Sequence, residues 1–131
     1  MSKGRNVQVD ELILSLARSS DSVGRARSTV RGALAALDGD VADVSALLVN
    51  ELVANAIAHG EGSISLAVEI RPDCVRVAVT DEGEGLPVLL ASSPTAEGGR
   101  GLSIVSALAT KWGVDPEAHG KSVWFEIALP T

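Results

Sequence analysis

Residues 41–59, VADVSALLVNELVANAIAH, carry apolar side chains at most positions, and this stretch restricts the fold more than any other in the chain. Val44, Leu47, Leu48, Val49, Leu52, Val53 and Ile57 recur at helical spacing yet leave almost no side of the helix polar, so other structure has to cover it. After His59-Gly60 the period changes to two. Ile64, Leu66, Val68 and Ile70 alternate, Arg71-Pro72-Asp73 carries turn chemistry, and Val75, Val77 and Val79 alternate again, which predicts an antiparallel hairpin. A strand at 11–17, an amphipathic helix from an N-cap at Asp21 to Asp38-Gly39, a helix at 102–109 and strands near 111–115 and 121–129 complete the pattern. The predicted fold class is α+β: a two-layer α/β sandwich with helices on one face of a mixed, mostly antiparallel sheet.

At 131 residues the chain has the size of one domain. Residues 1–10 read as a loose tail and 11–131 as a single domain. Aromatic residues make up 2% and tyrosine is absent, so the core has to be built from Ala, Val, Leu and Ile around Trp112, Trp124 and Phe125. Cys74 is the single cysteine, which excludes an intrachain disulfide, and with His59 and His119 it makes no zinc motif. A formal charge of −6 argues against direct binding of nucleic acid through its phosphates. No run of about eighteen uncharged apolar residues marks a membrane span, and the first residues lack a signal-peptide core. A soluble, cytoplasmic protein without membrane contact is the expectation.

Three constellations carry chemistry. Glu51, Asn55 and His59 fall on one stripe of the second helix, within an arc that also holds Val44, Leu48 and Leu52. A carboxylate there needs a partner, a wet cavity or a ligand, and Asn55 suits a hard cation or its waters; a structural hydrogen-bond network is the plain alternative. Next, the strand through Val77 and Val79 delivers Asp81 to Gly83-x-Gly85. An acceptor-only carboxylate at the back of a pocket suits an exocyclic amine such as adenine's, whereas an acidic turn after a strand explains the same residues without a ligand. Finally, Gly98-Gly99-Arg100-Gly101-Leu102 runs into a helix start, which suits phosphate or serves as a hinge. The intervening stretch 81–100, with four glycines and two prolines, reads as a long loop.

Two look-alikes fail. Gly120-Lys121-Ser122 has Asp115 where a phosphate-binding loop needs its leading glycine, and it enters a strand instead of a helix. Gly83-x-Gly85 has Val88 where a dinucleotide fingerprint needs its third glycine.

Taken in order, Glu51-Leu52-Val53-Ala54-Asn55-Ala56-Ile57-Ala58-His59-Gly60, Asp81-Glu82-Gly83-Glu84-Gly85-Leu86-Pro87 and Gly98-Gly99-Arg100-Gly101-Leu102 resemble the GHKL ATPase/kinase superfamily. With Val23-Gly24-Arg25-Ala26-Arg27 in the first helix and the Gly120–Ile127 ending, the chain is similar to the stand-alone bacterial anti-sigma-factor serine kinases. The resemblance implies the GHKL sandwich, ATP and Mg²⁺ as cofactors, Asn55 as the Mg²⁺ residue, Asp81 as acceptor from the adenine amino group and Glu51 as general base. Gly83 and Gly85 would shape the nucleotide pocket, and Gly99, Arg100, Gly101 and Leu102 would lie over the phosphates. Ser122 would approach the adenine. One departure stands out: Glu97 occupies a place where kinases of this branch can carry a basic residue.

The implied function is an ATP-binding anti-sigma regulator that binds a sigma factor and phosphorylates a serine of a STAS-type antagonist, acting as a homodimer. A non-catalytic, ATP-dependent protein-binding module is the alternative. Arg25, Arg27 and Arg31 on the first helix suit either an acidic partner or plain solvation.

Overall fold

The computed structural model describes residues 10–83 and 104–130. In chain order the elements are β1 (Asp10–Leu16), α1 (Asp21–Ala33), α2 (Gly39–His59), β2 (Ile64–Ile70), β3 (Cys74–Asp81), β4 (Lys111–Glu117) and β5 (Gly120–Ala128). Residues 104–108 are helical, within the helix expected at 102–109. The sheet order is β1-β2-β3-β5-β4, and every pairing among the described residues is antiparallel. Both labelled helices pack on one face, giving the two-layer α+β sandwich that the periodicities require; the parallel component of a mixed sheet is not seen among the described residues.

Period-two alternation fixes which side chains meet the helices. Val75, Val77 and Val79 of β3 and Val123 and Phe125 of β5 are buried, and α2 lies across these two strands at the centre of the sheet. Against them α2 places Leu48, Val49, Leu52, Val53 and Ala56. By length and composition α2 is apolar enough to cross a membrane, but here it is the core helix. Its polar side is narrow, with Asp43, Ala54 and Ala58 exposed, and Leu47 joins them at 43% exposure. Phe125 is the only aromatic residue fully buried among those described. Trp124 points the other way, onto the helix-free face, where the Arg76 guanidinium lies 4.0 Å above its ring.

The first helix ends earlier than its periodicity predicts. Leu34 is its C-cap and turns follow, so Leu34 and Leu37 continue the apolar face without continuing the helix. Asp38, read from sequence as the end of α1, is instead the N-cap of α2, its carboxylate accepting from the Asp40 N–H at 2.8 Å. Ser20, not Asp21, is the N-cap of α1, and Asp21 lies in the first turn, where a carboxylate complements the helix dipole. Arg27 donates to Asn50 at 3.0 Å and Arg31 pairs with Asp43 at 2.7 Å, so two of the three arginines on α1 are tied to α2.

Candidate functional site

The end of α2, the end of β3 and the start of β5 converge at one end of the sandwich. Alternation carries the inward parity of Val75, Val77 and Val79 one step further to Asp81, which is 2% exposed. Its Oδ1 accepts from the Gly83 N–H at 2.7 Å, from the Glu61 N–H at 3.4 Å and from Lys121 Nζ at 3.0 Å. All of its hydrogen bonds among the described residues fall on Oδ1, and Oδ2 lies against Gly60. A Cβ on Gly60 would stand 2.6 Å from Oδ2, so glycine is needed for the helix end to approach the carboxylate this closely. Gly120, at φ +132, closes the other side: a Cβ there would overlap the Asp81 carbonyl oxygen.

The segment after α2 is clasped to the same spot. Glu82 N–H donates to the Glu61 carbonyl at 2.8 Å. Arg18, between β1 and α1, donates to the carbonyls of Ile57, Gly60 and Gly62 at 2.7, 3.0 and 3.4 Å. Its guanidinium thereby satisfies carbonyls that the end of a helix leaves without partners.

Along α2, Glu51 and Asn55 are half-buried, while His59 is exposed. Asn55 Oδ1 is fully buried without a hydrogen-bond partner among the described residues. An amide oxygen in that condition costs stability unless something else supplies a donor or a cation. Glu51 makes no ion pair or hydrogen bond among the described residues.

The position expected of Ser122 is corrected by strand register. Asp81 pairs with Lys121 and Thr80 with Ser122, so Lys121 enters the site from the helix-covered face and Ser122 shares the opposite face with Thr80. A cleft of about 280 Å³ is lined by Ser15, Ser63, Ser65, Thr80 and His119 and is bordered by Asp81 and Glu82. Lys121, Gly60 and Arg18 are the site residues that sequence reading missed. Gly85, Glu97, Gly99, Arg100, Gly101 and Leu102 lie outside the described residues.

These features fit a nucleotide with its metal. Asp81 Oδ2 is an acceptor held in place by three donors on its companion oxygen, and Asn55 Oδ1 is an unsatisfied oxygen of the kind a hard cation or its water takes. Asp81 would hold the base and Asn55 the Mg²⁺. Fold and site together define a two-layer α+β domain with a buried carboxylate, paired with an ammonium, at the end of its central helix.

The chain belongs to the histidine kinase-like ATPase domain family, which it matches over residues 16–127. Membership in that family implies ATP binding. Among curated relatives, the chain is 37% identical over 99 residues to the sensor histidine kinase component HK1 of Mycobacterium tuberculosis, a match covering 64% of this chain and 59% of that protein. It is 34% identical over 85 residues to the anti-sigma F factor of Geobacillus kaustophilus, covering 60% and 58% respectively. The chain thus spans less than two thirds of the length of these relatives. Among solved structures, the RsbU and RsbW domains of a Mycobacterium tuberculosis protein superpose with a TM-score of 0.71 at 21% identity, covering 92% of this chain and 32% of that one. The histidine kinase domain of a blue-light-activated kinase from Erythrobacter litoralis gives 0.56 at 21% identity, covering 84% and 60%. Both structural likenesses establish the fold.

Proposed function

We propose that this chain is an ATP-binding anti-sigma regulator that holds a sigma factor and phosphorylates a serine of a STAS-type antagonist. The observation that carries the reading is the pairing, at the end of one core helix, of a buried acceptor at Asp81 with an unsatisfied buried oxygen at Asn55. The likeness to the anti-sigma F factor of Geobacillus kaustophilus supports the choice of branch.

ATP with Mg²⁺, when bound, supplies a transferable phosphoryl group. Glu51, half-buried and without a partner among the described residues, is the group left to take the proton from the serine hydroxyl. Asp81 and Asn55 fix the two ends of the nucleotide relative to that carboxylate. The protein is proposed to act in the cytoplasm as a homodimer. Edge strand β1 supports this: Ile13 and Leu12 are 68% and 41% exposed, on a strand whose outer hydrogen-bonding edge pairs with no other strand among the described residues.

The test is transfer of labelled γ-phosphate from Mg-ATP to small proteins of a host lysate, comparing the wild type with Glu51→Ala. A labelled band that requires Glu51 supports the kinase. ATP binding without any labelled band favours the non-catalytic binding module and directs attention to Glu97, the acidic residue where kinases of the branch can carry a basic one.

A further inference from the structure

Lys121 is the cation of the Asp81 site, and its placement there is hard to explain by stability. Its side chain is 7% exposed beside a carboxylate that is 2% exposed, and taking both charges out of water costs about as much as their attraction returns. Well-packed apolar residues in place of both members would hold the strands together about as well. The pair lies at the end of α2, with Gly60 and Gly120 both pressed against Asp81.

An ammonium has three N–H donors. Lys121 directs them toward Asp81 Oδ1 at 3.0 Å and the Gly83 carbonyl at 3.4 Å, which leaves one without a partner among the described residues. Asp81 Oδ2 likewise accepts nothing among those residues. One ion pair thus carries both a donor and an acceptor that are unpartnered among the described residues. Adenine offers the complement on one edge: an amino N6 that donates next to a ring N1 that accepts. Guanine in the same placement offers the reverse, a carbonyl O6 against the carboxylate and an N1–H against the ammonium.

We infer that Lys121 is a base-reading residue, donating to the ring N1 of adenine while Asp81 Oδ2 accepts from N6, and that it sets the preference for adenine over guanine nucleotides. This rests on the nucleotide-binding reading above. A carboxylate alone recognises only an amino group; the lysine adds the second contact and turns it into a two-point reading of one purine edge. Removing an acceptor from a charged, buried donor weakens binding by about tenfold or more.

The experiment is calorimetric titration of the full chain with ADP, 1-deaza-ADP, in which N1 is replaced by C–H, and GDP. Wild type is expected to bind ADP at least tenfold more tightly than 1-deaza-ADP and to bind GDP more weakly still. In Lys121→Met the two adenine analogues should bind within about twofold of each other, and the margin over GDP should shrink. Lys121→Leu serves the same purpose if circular dichroism shows Lys121→Met unfolded. Equal binding of ADP and 1-deaza-ADP by wild type, or the same penalty in wild type and variant, overturns the inference and leaves the nucleotide site standing. A wild type that binds none of the three overturns the nucleotide reading and this inference together.

Discussion

Gly60 abuts the Asp81 carboxylate so closely that a Cβ at Gly60 would lie 2.5 Å from Asp81 Cγ and 2.7 Å from the Ala56 carbonyl oxygen. Both neighbours are constrained. The carboxylate is held by three donors and the Ala56 carbonyl accepts from the Gly60 N–H in the last turn of α2. Neither can retreat without breaking hydrogen bonds, so the helix end and the carboxylate form one rigid corner.

Gly60→Ala forces that corner apart. Overpacking of this kind costs about 1–3 kcal/mol, and the displacement falls on the oxygen that would meet the base. The expected outcome is a lower melting temperature together with at least a tenfold loss of ADP affinity, read by calorimetry. Unchanged ADP affinity would show that the base does not sit against Asp81.

Asp81→Asn keeps the shape and removes the charge. Lys121 is then left buried opposite a neutral amide, and breaking one side of a buried ion pair destabilises by about 3 kcal/mol. ADP affinity should fall at least several-fold, because a mixed donor and acceptor replaces a pure acceptor. Adding Lys121→Met to Asp81→Asn should restore part of the lost stability without restoring binding. That non-additivity, measured by denaturant titration, separates the pair's structural role from its role toward the ligand.

Much of this corner was written in the strand periodicity. Alternation through Val75, Val77 and Val79 already places Asp81 inward, and alternation through Val123, Phe125 and Ile127 places Lys121 inward by the same rule. The family resemblance alone places Ser122 near the adenine, whereas parity sends it to the face of Thr80. Asp38 was visible as a boundary residue but assigned to the wrong helix, since the apolar face runs on through Leu34 and Leu37 after the helical hydrogen bonds stop. Arg18 was not legible at all. The three carbonyls that it binds lie 39 to 44 residues away in sequence and come together only once α2 ends.

Arg18→Ala tests that long-range cap. The guanidinium is exposed, so water replaces part of what is lost, and the destabilisation should be about 1 kcal/mol. The carbonyls of Ile57, Gly60 and Gly62 lose their common donor, which loosens the segment whose Glu61 N–H reaches Asp81. Amide exchange at residues 57–62 should accelerate more than exchange in β2 or β3. Uniform acceleration across the sheet would mean that Arg18 acts on global stability alone.

Cys74, at the start of β3, supplies a pH-dependent signal. Burial, and then the nearby charges of Glu126 and Asp73, push its thiol above the ordinary thiol range. The folded chain thus holds the proton to higher pH than the unfolded chain does. Stability linked to this group is fully present below the unfolded thiol's value and declines as pH rises through the raised folded value. The thiolate is the nucleophile, so iodoacetamide should modify Cys74 more slowly than a free small thiol at the same mildly alkaline pH, and the rate should keep climbing after the free thiol's has levelled. A rate matching the free thiol across the pH range would show that the start of β3 is open to water, and that Glu126 is too well neutralised by Arg76, 3.0 Å away, to be felt by the sulfur.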